Sequence, residues 1–563
     1  MYSKRAISLL MMILFPIFGL ASSYYVSTSG DNSSDGSIST PWRDIDYAAN
    51  TSIVVSGDTI HIAAGTYFEH VYINGKNVSL IGESSTNTII DGTQTVGATT
   101  THLAAIRLNN IQNSVIKNLW LKDVAKPLDI DHIDIGQYGI VLSSYCQNNI
   151  LENIHVTNPG CYGIFIWNQC TTNSIRNCYV DGAYPDYPDY QALDGIFIHG
   201  GDNAGEVTVG TIVRDCKTEN VVFGVSMTRS DKGLIEGNTI IPSMSSTWLE
   251  PAWGGYYSYG FNIYCSSNNT VANNYITGGY HNIRFRSNST TIPPAETMNN
   301  IIINNQILGT SSSQNGINFN QRGSSYGIIS GNHVINNSIT GNVNGIYADE
   351  VNDLIQCNSI YGNTTGVLNL STDSLYAQYN YWGAEDGPAP TGSGNPVSSN
   401  VVYIPFSGDT VNTQTVVVSG STTLIDFSGT GLQMDFSSGN VGSGGEIFVA
   451  LAYSFPTGDT PGGAFNASNS LKKVWSLITD MTGFNVTLIF SYEDADIPSG
   501  VNEASLIPLR STDGGLTWED ITGSIVRDTV NNTITISGVT GFSLWAFGDS
   551  GMVPVELSDF MSE

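Results

Sequence analysis

An all-β chain is predicted, a parallel β-helix (solenoid) followed by a smaller antiparallel β-sandwich, on three observations. Six asparagines, Asn238, Asn274, Asn305, Asn332, Asn358 and Asn380, recur in one frame, each two residues ahead of an apolar residue that turns back into a core: Ile240, Ile276, Ile307, Val334, Ile360 and Trp382. A second short strand recurs beside them, as GIVLS from Gly139, GIFIW from Gly163, GIFIH from Gly195, GVSMT from Gly224, GFNIY from Gly260, GINFN from Gly316 and GIYAD from Gly345. No helical period accompanies these strands, and short strands repeating at tens of residues are the signature of a stacked solenoid. The asparagine frame extends back through Leu119, Ile154, Cys178 and Cys216, so one column is apolar for four repeats and asparagine for six. A side-chain amide buried at a turn bonds its equivalent one rung away and satisfies backbone groups that a core would otherwise strand.

The elements follow in order. Residues 1–23 carry Lys4 and Arg5, an apolar run from Leu9 to Leu20, and Ala21-Ser22-Ser23. That is the layout of a secretory signal, and the run is too short and too interrupted by Pro16 for a membrane anchor. A secreted or cell-surface monomer with no membrane span is expected. Residues 24–406 form the β-helix, opening with a strand, a Gly/Asp turn and a short helix with Thr40 as N-cap and Pro41 at its first position. This opening caps the exposed end of the coil. The regular repeat runs from about Ile106 to Trp382, where Tyr381 and Trp382 supply terminal packing and Gly387-Pro388 ends the strand. Residues 407–549 change to alternating strands such as TTLIDFSG, EIFVALAYSF and FNVTLIFSYED, the pattern of a β-sandwich. Residues 550–563 are a C-terminal linker.

Formal net charge is −29, from 49 acidic and 20 basic residues, although charged residues make up only 12% of the chain. Without a basic stripe, nucleic acid is excluded as a partner. The acidic balance fits Ca2+ binding and equally fits solubility in a salty medium. Seven cysteines lie between Cys146 and Cys357 with no zinc-site spacing. Cys178 and Cys216 fall on successive rungs and read as two stacked buried thiols in preference to a disulfide.

Alternation places two outward columns on the second strand. One reads Arg107, Val141, Phe165, Phe197, Ser226, Asn262, Arg284, Asn318, Tyr347, and the other Asn109, Ser143, Trp167, His199, Thr228, Tyr264, Arg286, Asn320, Asp349. Rings for sugar faces, amides for hydroxyls and guanidinium forks for carboxylates or sulfates suit an oligosaccharide. Insertions at 181–192, 242–257 and 287–298 wall this face into a groove, with Trp248 and Trp253 at its edge. The substrate-binding candidates are therefore Phe165, Trp167, Phe197, Thr228, Asn262, Asn318, Asn320, Trp248 and Trp253. The bland alternative is that the aromatics only cover the flank of the coil.

The opening YYVSTSGDNSSDG, the GDTIHIAAGTY segment, the I-x-x-N-x-I rungs and the NYWGAEDGP exit together resemble the right-handed parallel β-helix proteins of the pectate-lyase-like superfamily, over residues 24–406. The resemblance implies the right-handed coil and leaves the chemistry open, because the superfamily holds lyases, hydrolases, epimerases and non-enzymatic surface proteins. Asp194-Gly195-Ile196-Phe197-Ile198-His199 is similar to the Asp-Gly-Phe-x-x-Lys segment of family 9 polysaccharide lyases. That similarity implies calcium-holding aspartates and a basic residue at the lysine position, which is His199 here. Asp186, Asp189, Asp194 and Asp202 are the corresponding Ca2+ candidates, with Asp129, Asp131 and Asp134 a second set; spaced loop aspartates are also ordinary turn formers. In the sandwich, the segment from Ser511 to Trp518 resembles the Asp-box hairpin of sialidases and in a single copy is structural. VPVELSDF resembles the junction before a C-terminal sorting module in exported bacterial proteins.

For β-elimination on an acidic polysaccharide, a charge neutraliser and a base are needed. Arg284 and Arg286 supply the first, and Tyr264 or His199 the second. Hydrolysis needs two carboxylates at a defined separation, and the columns offer only Asp349 with Glu350 beside it. The expectation is thus a secreted polysaccharide lyase, with a non-catalytic glycan-binding or adhesin-like surface protein as the alternative and a glycoside hydrolase third.

Overall fold

A computed structural model describes residues 21–92, 103–123, 137–183, 192–243, 258–288, 295–320, 326–349, 352–420, 422–455, 470–479, 481–512, 517–521 and 524–549. The chain is a parallel β-helix with an antiparallel β-sandwich against its flank. One parallel sheet of 24 strands and another of 11 strands wrap the coil, and every pairing within them is between rungs.

Each coil bends where a left-handed residue precedes an inward one. Asn118, Asn153, Asn177, Asp215, Gly237, Asn273, Asn304 and Asn336 all have φ between 50° and 66°. They stand immediately before Leu119, Ile154, Cys178, Cys216, Asn238, Asn274, Asn305 and Asn337. Asparagine, aspartate and glycine dominate the first set because they tolerate the left-handed region that other side chains avoid. The second set forms the predicted column, with one correction. Asn305 donates from its backbone and side-chain nitrogens to Asn337 Oδ1 at 2.9 and 3.0 Å, and Asn337 donates likewise to Asn358 at 2.8 and 3.0 Å. Asn332 therefore does not occupy this frame; Asn337 does, followed by inward Ile339.

Asn332 belongs to a second ladder at the preceding bend, where Asn269 donates to Asn300 and Asn300 to Asn332 at 2.9–3.0 Å. Asp353 ends that ladder by accepting both Asn332 nitrogens at 2.8 and 3.0 Å. Burial pushes its carboxyl up to about 7. A third run, Asn342 to Asn363 to Asn395, lies at the next corner.

The core between the sheets is a continuous column of isoleucine, valine, leucine and phenylalanine from Val26 to Phe406. Trp382 closes it, fully buried beneath Gly366, where an added Cβ would lie 3.0 Å from the indole. All seven cysteines are buried free thiols, Cys178 and Cys216 among them.

The opening of the coil differs from expectation in its helix. The helix spans Ile45–Asn50 with Asp44 as N-cap, four residues beyond Thr40. Thr40-Pro41 has the local signature of a helix start, but Trp42 is held extended against the first strand, accepting from Ser27 N at 2.9 Å and donating to Tyr25 O at 3.0 Å. The Glu69 carboxylate, not a capping side chain of the helix, accepts from Ile45 N and Asp46 N at 2.8 Å each. The strand Ser23–Val26 pairs in parallel with Thr59–Ile62, so the opening segment is itself a rung.

Beyond the coil, Phe406–Ser407 and the following strands form two antiparallel sheets of seven and five strands. The larger sheet docks on the coil: Phe448 packs on Ala272 and Ile303, and Ala450, Ala452 and Trp518 pack with Ile335, Cys357 and Tyr379.

Asn305 accepts from Asn274 and donates to Val271 O at 2.9 Å on one neighbouring rung, and donates to Asn337 on the other. Asn305→Leu strands these groups at about 1–3 kcal/mol each. Thermal unfolding of the variant is expected to show a lower Tm and an unchanged Tm would show that the amide ladder contributes nothing to stability.

Candidate functional site

The 11-stranded sheet carries the site, from Val71–Asn74 to Thr365–Asn369. Its rungs are in strict register, which aligns like positions. Phe165 pairs with Phe197, then Ser226, Asn262, Arg284 and Asn318; Trp167 pairs with His199, then Thr228, Tyr264, Arg286 and Asn320. Both predicted columns are present in that order.

A third outward column was not legible from alternation. It runs Tyr138, Tyr162, Asp194, Phe223, Tyr259, His281, Asn315. Counting back by twos from Phe165 would aim residue 162 inward. The glycine after it breaks the count. An added Cβ on Gly163 would lie 2.4 Å from the core side chain of Val180, and one on Gly260 2.4 Å from Ile276, so these glycines turn inward and the residue before each faces out. The recurring glycine was the available signal.

Along these columns the rings stack on each other. Tyr138 and Tyr162 lie 5.5 Å apart, Phe165 and Phe197 5.2 Å, Phe223 and Tyr259 5.0 Å, and Tyr259 and His281 5.7 Å, all within 15° of parallel. Their faces are therefore engaged with neighbouring rings and their edges line the surface. Phe165 is buried in a cluster with Tyr138, Val141 and Ala104, against which Trp167 and Phe197 pack.

At the other end of the face, two guanidinium groups sit on rings. Arg284 Cζ lies 4.7 Å from the centre of the Tyr259 ring, and its Nη1 donates to the Tyr259 hydroxyl at 2.5 Å. Arg286 Cζ lies 5.1 Å from the centre of the Tyr264 ring. The side-chain carbonyls of Asn262 and Asn318, one rung to either side of Arg284, are buried without a hydrogen-bond partner. Thr228 is nearly buried beside Tyr264, and Asn320 lies half-buried beside Arg286.

The titratable groups nearby are largely neutral. Gly201 N donates to His199 Nδ1 at 3.1 Å, which puts the proton of the neutral ring on Nε2, 4.0 Å from Asp202 Oδ1. Burial pulls His199 down to about 4, against the opposing pull of Asp202. Its base lone pair is thus already used. His281 accepts at Nδ1 from Asn315 Nδ2 at 3.1 Å, and burial, with Arg284 beside it, lowers it to about 3. Asp194 interrupts the ring column between Tyr162 and Phe223, 3% exposed, with Oδ1 lacking a partner. Burial pushes its carboxyl up to about 8, only partly opposed by the Ser226 hydroxyl.

Asp194 and Asp202 do not converge on one ion: Asp194 sits at the start of the strand Ala192–His199, whereas Asp202 lies beyond its end with a 78% exposed side chain. No three His, Cys, Asp or Glu side chains come together among the described residues. Asp194 and Asp202 by themselves make no calcium cage, whose carboxylates must converge. Asp186, Asp189, Trp248 and Trp253 lie outside the described residues, as do Asp129, Asp131, Asp134 and Glu350. Asp349 stands five strands from Asp194, about 24 Å at 4.8 Å per strand, too far for a glycosidase pair.

No family model and no curated protein matches the chain. Solved structures similar to it include a rhamnogalacturonan lyase, 15% identical over 60% of this chain and 83% of that one, with a TM-score of 0.37. A pectate lyase is 15% identical over 68% of this chain and 78% of that one, with a TM-score of 0.37. A lacto-N-biosidase from Eubacterium ramulus is 12% identical over 68% of each chain, with a TM-score of 0.42. The likeness is one of fold.

Between about pH 4 and 8 the folded protein keeps a proton on Asp194 that the unfolded chain has lost, so this group's contribution to stability falls as pH rises and levels off above 8. Asp194→Asn removes that dependence. Its unfolding free energy relative to the parent's, from denaturant titration, is expected to rise from pH 4 to pH 9 by on the order of a few kcal/mol. A difference that stays constant with pH would show that Asp194 ionises normally.

Proposed function

We propose that the chain is a secreted polysaccharide lyase that cleaves an acidic polysaccharide on the outer face of the 11-stranded sheet. The observation that carries this reading is the pair Arg284 and Arg286, adjacent outward positions of one strand, each held on an aromatic ring. Contact with the Tyr259 and Tyr264 rings holds the guanidinium groups without neutralising them. Their forks suit a carboxylate, and amides at Asn262, Asn318 and Asn320 suit sugar hydroxyls.

A uronate carboxylate on this pair acidifies the carbon beside it, because the charge that develops as the proton leaves is stabilised by the guanidinium groups. Tyr264, on the rung next to Arg286, takes that proton as the base. The electron pair forms a double bond to the neighbouring carbon, the bond from that carbon to the glycosidic oxygen breaks, and the phenol returns the proton to the departing oxygen. His199 has no such role, since its Nδ1 is committed to Gly201 and its Nε2 carries the proton. Among the described residues, His199 and His281 have their Nδ1 lone pairs engaged and Asp194 keeps its proton, so the proposed acceptor is the Tyr264 phenol. This same fact favours the second reading, a glycan-binding or adhesin-like surface. Among the described residues no helix is long and apolar enough to cross a membrane.

Purified protein is assayed on pectate, alginate and glycosaminoglycans by absorbance of the unsaturated product. Arg286→Ala is expected to reduce turnover by about 10²–10³-fold and affinity far less, as expected for a group acting mainly in the transition state. Tyr264→Phe should abolish product while retaining binding. No product from the parent on any substrate, with binding weakened by Arg286→Ala, would establish the binding surface instead.

A further inference from the structure

A cleft of about 410 Å³ lies between the coil and the sandwich, on the 24-stranded sheet and not on the face that carries Arg284 and Arg286. Its floor is an outward column in register, Tyr275 beside Gln306 beside Ser338. One wall is made of the left-handed bend residues Asn273, Asn304 and Asn336, and the other of Val411 and Thr413 at the start of the sandwich. Val411 N donates to Ser359 Oγ at 3.0 Å and closes one end.

Three properties define what the cleft can hold. Among the described residues its lining contains amides, hydroxyls, one phenol and Val411, but no acidic, basic or histidine side chain. Tyr275 is 38% exposed and flanked in register by Thr239 and Gln306, so its ring is not stacked into an aromatic column like those on the other face. The amide column is also broken here. Asn304 Nδ2 donates to Asn273 Oδ1 at 2.6 Å and to Thr415 Oγ1 of the sandwich at 3.0 Å, while both side-chain polar atoms of the 3% exposed Asn336 lack partners. A volume within the range of ligand pockets, at a domain junction, with amides that both donate and accept and one open ring, suits an uncharged polyhydroxylated ligand.

We propose that this cleft is a second carbohydrate site that binds a short stretch of neutral oligosaccharide. It is separate from the face that carries Arg284 and Arg286 and does not depend on the lyase reading. Because the coil and the sandwich each supply a wall, occupancy holds the two together and raises the Tm of the junction by mass action.

The test is calorimetric titration of the full chain with cellohexaose, maltohexaose, laminarihexaose, mannohexaose and xylohexaose. At least one is expected to bind, with Kd raised about tenfold or more by Tyr275→Ala, the typical cost of removing a contact ring. Thr413→Trp, which fills the cleft, is expected to block binding, and circular dichroism confirms that each variant is folded. Arg286→Ala should bind as the parent does. Absence of binding by all five sugars, binding unchanged in both cleft variants, or binding lost in Arg286→Ala would each overturn the proposal.

Discussion

A chain that coils through parallel rungs must turn sharply several times per coil, and at each turn it exposes backbone donors and acceptors to its own core. The left-handed residue followed by an inward one is how this protein meets that constraint. Asn273-Asn274 shows the arrangement: the first residue takes φ 56°, and the second buries an amide that bonds backbone and amide on neighbouring rungs. Where the inward position is Leu119, Ile154 or a cysteine, the core fills the corner with apolar volume instead. Cys216 N still donates to Asn238 Oδ1 at 2.8 Å, so the apolar and amide halves join without a gap.

Uniform turns produce uniform register, and register places like on like about 4.8 Å apart along the outer face. That spacing decides what the side chains do. Aromatic residues on successive rungs close onto one another, which accounts for the Phe165–Phe197 and Phe223–Tyr259 stacks and for the burial of Phe165. An arginine next to a tyrosine lies over its ring, and one rung further an amide is within reach. The transition from rings to guanidinium groups along a single sheet therefore converts an apolar flank into a cationic one.

Two outward columns could be read from the sequence because isoleucines at alternate positions mark the inward face. The third could not, since glycines that turn inward break the alternation at Gly163 and Gly260. Asn332 was misplaced for a related reason. Asn332-His333-Val334 and Asn337-Ser338-Ile339 have the same local form, and only the pairing of Ile302 with Val334 and Ile307 with Ile339 separates them. Register is a long-range property. The helix start at Thr40-Pro41 failed likewise, because pairing of Trp42 with the first strand overrides a sound local signal. The chemistry of His199 was also beyond reach, as the Gly201 amide that occupies its Nδ1 is positioned by the turn after the strand.

The same burial that builds the face limits its chemistry. Outward positions are covered closely enough that Asp194 keeps its proton and His199 and His281 lose theirs, each moving toward its neutral form. Aspartate and histidine would otherwise be the natural proton carriers near pH 7. Guanidinium groups resist this levelling, because their pKa lies too far above neutrality for burial to discharge them. Permanent positive charge on this face thus rests with its arginines, Arg284 and Arg286 among them.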